Sequence, residues 1–87
     1  MSSTKVMRFT AEWSDPCKEY LSIFTKVVGE FKDLTVESYD IETDCGVEMA
    51  SDYGIKGVPT TIIFKDDEYS IKVGVVPEAD LREALDD

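Results

Sequence analysis

Apolar residues stand at Cys17, Tyr20, Leu21, Phe24, Val27, Val28 and Phe31, with Lys18, Glu19, Ser22, Lys26 and Glu30 between them. Steps of three and four put the apolar set on one face of a helix. Ser14-Asp15-Pro16 supplies its start. Ser or Asp caps the first free N–H groups, and proline at the first helical position gives up only a donor that no helical carbonyl would take. Before the helix, Lys5 to Ala11 (KVMRFTA) is short and β-favouring and predicts a strand. After it, Leu34 to Ile41 (LTVESYDI) alternates with period two and predicts a second. Thr43 to Gly46 reads as a loop. Val47, Ala50 and Tyr53 predict a short helix that Gly54 closes as a left-handed cap. Thr60 to Phe64 (TTIIF) is strongly β-forming. Tyr69, Ile71, Val73 and Val75 alternate with polar residues, and Asp66-Asp67 between the two runs marks the turn of a hairpin. Pro77 opens a last helix, with Leu81, Ala84 and Leu85 inward.

The order is β-α-β-α-β-β-α. The first two strands flank a helix of about four turns and predict a right-handed parallel βαβ unit. The hairpin adds an antiparallel pair. The expected architecture is α/β: one mixed four-stranded sheet with helices on both faces.

At 87 residues there is room for one domain, covering 1–87, and 43% apolar residues allow a small core. Nineteen acids against nine bases give a net charge of −10. Binding a phosphate backbone takes clusters of Lys and Arg. None occurs, so no nucleic-acid partner is expected. No apolar run approaches the roughly 18–20 residues of a membrane span, so no membrane association is expected either. The start at Met1 to Lys5 lacks the apolar core of a signal peptide. The expected location is the cytoplasm, where thiols stay reduced, and the expected state is a monomer. The chain has no histidine, which removes Ser-His-Asp and Cys-His catalysis. Two cysteines without histidine do not close an ordinary four-ligand zinc site. Asp40, Glu42 and Asp44 alternate as a solvated edge does, so no metal is expected.

The chemistry-bearing stretch is Phe9 to Lys18 (FTAEWSDPCK), at the end of the first strand and the start of the long helix. A thiol in the first helical turn gains from the helix dipole, which favours thiolate. Two cysteines in C-x-x-C spacing beside a βαβ unit make a redox motif. Here the spacing is kept but the first position is Ser14. Ala11-Glu12-Trp13-Ser14-Asp15-Pro16-Cys17-Lys18 nevertheless resembles the active-site stretch of the thioredoxin family. Tyr53-Gly54-Ile55-Lys56-Gly57-Val58-Pro59-Thr60 resembles the family's segment before its cis-proline. Lys65 to Glu68 and Val73-Gly74 resemble its hairpin. The likeness runs from residue 5 to residue 86 and leaves out the family's usual first strand and helix.

The resemblance implies the thioredoxin fold and thiol–disulfide exchange on protein disulfides, with a thioredoxin reductase-like donor and no cofactor. It gives position 14 to the attacking cysteine and makes Cys17 the resolving one. It implies a cis bond before Pro59, a Val58 backbone free to pair with a substrate peptide, and a shallow groove of Trp13, Ile41, Gly57, Val58 and Val75. Two positions depart from the family. A serine hydroxyl without a base is no nucleophile toward a disulfide, so Ser14 stops the dithiol cycle. The family's buried acid, six residues before the attacking position, is here Arg8. Ser14 has three readings: an engineered replacement, a natural loss that leaves a non-catalytic binding module, or a monothiol site built on Cys17. Cys45, in the loop before the second helix, reads as a partly exposed spare thiol. A bridge to Cys17 is not expected, because Cys17 lies on the inward face of its helix.

Overall fold

The computed structural model describes residues 4–86. Its elements are β1 (Thr4–Thr10), α1 (Asp15–Val28), β2 (Leu34–Asp40), α2 (Asp44–Asp52), β3 (Thr60–Lys65), β4 (Glu68–Val73) and α3 (Glu78–Leu85). The sheet order is β2-β1-β3-β4. β1 and β2 are parallel, from Thr4 opposite Leu34 to Thr10 opposite Asp40. β3 runs antiparallel to β1, with Phe9 opposite Thr60, and β4 is antiparallel to β3.

Alternation along β1 divides the core in two. Val6 turns to one face and meets Ile63, Tyr20, Phe24 and Val27 of α1, and Leu81 and Leu85 of α3. Met7 and Phe9 turn to the other, where Ile62 joins them beneath Met49, Ala50 and Tyr53 of α2 and its extension. Burying each of Phe24, Leu81 and Leu85 contributes about 1.5–3 kcal/mol. Arg82 reaches from α3 to Glu30, with bonds of 2.7 and 2.8 Å, and to Glu78 at 2.7 Å, tying α3 to the turn after α1.

Several sequence expectations shift. Ser14 is the N-cap of α1, which puts Asp15 first and Pro16 second in the helix. The helix stops at Val28, so Phe31 lies beyond it, half-buried against the first core. The buried face is Cys17, Tyr20, Phe24 and Val27, while Leu21 is 47% exposed. Among the described residues no element packs against that flank. The stretch read as a loop at Thr43–Gly46 is the first turn of α2. Thr43 is the N-cap, and its Oγ1 accepts from the Gly46 N–H at 3.0 Å. Cys45 is therefore helical, and it is exposed. Gly54 takes φ +67 just past α2, as a left-handed cap requires. The last strand ends at Val73 rather than Val75, because Gly74 turns the chain at φ +91. Pro77 caps α3 from outside instead of opening it. Among the described residues no helix is long and apolar enough to cross a membrane.

Candidate functional site

The register of the sheet brings four chain segments to one end. β1 and β2 finish side by side at Thr10 and Asp40, and Ile41 continues the pairing through a 2.9 Å bond from its N–H to the Thr10 carbonyl. β3 enters beside Phe9, and β4 leaves opposite Thr60. Residues 11–14, 41, 57–59 and 74–75 therefore gather at the carboxyl end of β1. Most residues singled out from the sequence lie here.

The loop after β1 closes when the Ser14 N–H donates to the Ala11 carbonyl at 3.2 Å. Ser14 then caps α1 in extended backbone, φ −93 and ψ 117, with its Oγ accepting from the Cys17 N–H at 3.3 Å. That arrangement ties positions 14 and 17 together at the positive end of the helix dipole. Ser14 is only 5% exposed and Cys17 only 2%. Trp13, by contrast, stands 67% exposed beside them. Asp15 and Lys18 are solvated, with a loose ion pair of 3.9 Å.

Beneath Cys17, the Tyr20 hydroxyl shares a buried 2.8 Å hydrogen bond with Thr61 Oγ1, which fixes α1 to β3. Arg8 projects to the same side. Its guanidinium lies 5.2 Å from the Phe24 ring centre and donates to Ser38 Oγ at 3.3 Å, while its Nε is buried without a partner. Burial holds the Arg8 pKa below its ordinary value, and the nearby Cys17 and Tyr20 partly offset that. Burial likewise raises the Tyr20 hydroxyl, against its bond to Thr61. An acid at position 8 could take a proton from a buried thiol; a guanidinium can only stabilise an anion there.

The Val58–Pro59 peptide bond is cis. Pro59 is fully buried, and Thr60 Oγ1 donates to the Gly57 carbonyl at 2.6 Å. The Pro59 carbonyl accepts from the Gly74 N–H at 2.8 Å, whereas Val58 makes no backbone hydrogen bond among the described residues. Ile41, Gly57 and Val58 line a shallow depression of about 290 Å³ with Val47, Ala50 and Ile55. Trp13 and Val75 lie outside its lining. Val47, whose spacing with Ala50 and Tyr53 predicts the second helix, is 56% exposed and was not singled out for the groove. Its place one turn before Ala50 on α2 was the signal that it could border the depression. Among the described residues no His, Cys, Asp and Glu group could hold a metal.

The family profile described as Thioredoxin matches residues 1–87. Thioredoxin of Mycoplasmoides gallisepticum is 37% identical over 81 residues, covering 92% of this chain and 79% of that protein. Thioredoxin 1 of Synechococcus elongatus is 34% identical over 79 residues, covering 90% of this chain and 73% of its own length. Among solved structures, a mutant thioredoxin from Halobacterium salinarum superposes with a TM-score of 0.81 at 28% identity, over 95% of this chain and 72% of that one. With the profile spanning the whole sequence and relatives 37% and 34% identical over most of their length, the chain belongs to the thioredoxin family.

Proposed function

We propose that this chain is a thioredoxin-like thiol–disulfide oxidoreductase site in which one of the two thiols is replaced, so that it engages protein disulfides without turning over. The observation that carries the proposal is the capping pair: Ser14 Oγ sits 3.3 Å from the Cys17 N–H in the first turn of α1. In a dithiol pair the sulfur at position 14 attacks a substrate disulfide as thiolate, forming a mixed disulfide and releasing one substrate thiolate. The thiolate at position 17 then attacks the position-14 sulfur, releases the second substrate thiolate and leaves an internal disulfide. A dithiol donor of the thioredoxin reductase kind reduces that disulfide back. With Ser14 the first bond cannot form, and Cys17, at 2% exposure, is shielded from a protein substrate.

The open Val58 backbone and the apolar depression beside it support a peptide-binding role, in which an extended substrate segment adds as a strand. That role survives without the chemistry, so a non-catalytic binding module is the second reading. Insulin reduction by dithiothreitol, measured with this chain and with Ser14→Cys, separates the two. The proposal expects turnover only in Ser14→Cys. A folded Ser14→Cys protein without reductase activity would leave the binding module.

A further inference from the structure

We propose that β4 pairs with β4 of a second copy, making a two-fold dimer with one continuous sheet. β4 is the end strand of the sheet, and its outer edge has no neighbour among the described residues. The bond from the Gly74 N–H to the Pro59 carbonyl fixes which groups face outward. It makes 59 and 74 a hydrogen-bonded pair in the β3–β4 register, and such pairs recur at every second residue. Residues 68, 70 and 72 therefore turn their N–H and C=O groups toward β3. Tyr69, Ile71 and Val73 turn theirs to the open edge.

The side chains select a partner. β4 reads Glu68-Tyr69-Ser70-Ile71-Lys72-Val73. An antiparallel copy centred on Ser70 sets Glu68 opposite Lys72 of the second copy, and Tyr69 opposite its Ile71, each twice by symmetry. The Tyr69–Ile71 pairs exchange about four backbone hydrogen bonds, and the Glu68–Lys72 pairs fall at the closer, non-bonded positions where charges pair well. Sliding by one step of the two-fold, to a centre on Ile71, puts Lys72 opposite Ser70 and Glu68 opposite Gly74, and loses both ion pairs. Within one copy, neither Glu68 nor Lys72 has an ion-pair partner among the described residues. Asp80 and Glu83 of α3 share a surface depression with Lys72 without bonding it.

The apolar side of the strand agrees. Tyr69, Ile71 and Val73 are 59%, 43% and 76% exposed, an unusual load for a free edge. The contact is smaller than a standard interface, and both copies are acidic, so a Kd on the order of 10–1,000 μM is expected. This dimer replaces the monomer expected from the sequence, and it leaves the end of the sheet that holds Ser14 and Cys17 uncovered.

Sedimentation equilibrium on the full chain and on two charge variants tests it. The wild type should show a concentration-dependent dimer. Lys72→Glu sets acid against acid and Glu68→Lys base against base, so each should dimerise at least about tenfold more weakly. An equal mixture of the two variants should recover the dimer, since each then supplies what the other lacks. Glu68→Lys also makes the chain less acidic overall, so its failure to dimerise cannot come from general repulsion. A wild type that stays monomeric up to about 1 mM, where even Kd values at the weak end would register, overturns the proposal. So do variants that dimerise like the wild type, or a mixture that does not recover.

Discussion

Adding one methyl group at Gly46 probes how α2 is anchored to the end of the sheet. A Cβ there would fall inside the van der Waals envelope of the Asp40 carbonyl oxygen and 2.5 Å from the carbonyl carbon. Ordinary contact is about 3.5–4.0 Å, and both sides are backbone, so one of them must move by roughly an ångström. The same carbonyl accepts from the Thr43 N–H at 3.0 Å and from Thr43 Oγ1 at 2.7 Å, and that oxygen in turn caps α2. Losing the cap costs about 1 kcal/mol. One or two further hydrogen bonds add about 0.5–1.5 kcal/mol each. Alanine's helical advantage over glycine returns about 1 kcal/mol. Gly46→Ala should therefore destabilise the protein by about 0.5–3 kcal/mol, a fall in Tm of roughly 2–24 °C for a domain of this size. Thermal and urea unfolding followed by circular dichroism would measure it. Gly57→Ala is the control, because its Cβ would meet nothing within 4 Å, and it should be neutral or slightly stabilising. A Gly46→Ala protein as stable as its parent would refute the reasoning.

Three further outcomes follow from the site and its supports. Tyr20→Phe leaves the buried Thr61 hydroxyl without its partner and should cost about 1–3 kcal/mol, which Thr61→Val in the same chain should largely recover. The raised Tyr20 pKa means that its contribution is complete below about pH 10, the unfolded value, and fades as pH rises through the folded one; alkaline unfolding curves of Tyr20→Phe should lack that component. On the acid side, bonds from Arg82 hold the Glu30 and Glu78 carboxyls below their ordinary range. Their small contribution is present above the unfolded carboxylate pKa and lost as pH falls through the lowered values, so Arg82→Gln should flatten the acid limb of Tm against pH. Finally, Cys45 should react with a bulky maleimide well before the 2% exposed Cys17; mass spectrometry of partly labelled protein reads the order, and faster labelling at Cys17 would point back to a monothiol site.

The features legible in the chain alone are local and periodic. The three- and four-residue spacing that includes Cys17, Tyr20, Phe24 and Val27 required a helix, and Ser14 before Pro16 could hardly be anything but its start. Strands one and two, the Asp66-Asp67 hairpin and the resemblance around residues 11–18 and 53–60 were legible for the same reason: each depends on neighbours in the chain. Packing between distant segments sets the rest. Periodicity marks Leu21 and Tyr20 alike, but only α3 and the sheet offer a surface, and they meet Tyr20. Asp44 and Cys45 are helical because Thr43 bonds to Asp40 at the end of another element. Tyr69, Ile71 and Val73 are apolar yet exposed, since one nine-residue helix covers that face of the sheet. Arg8 sits at an inward β1 position whatever its charge, because alternation fixes direction; its burial over Phe24 beside Cys17 depends on how α1 crosses the strand. Whether an apolar side chain is covered is a property of what packs on it, and one chain segment does not carry that information about another.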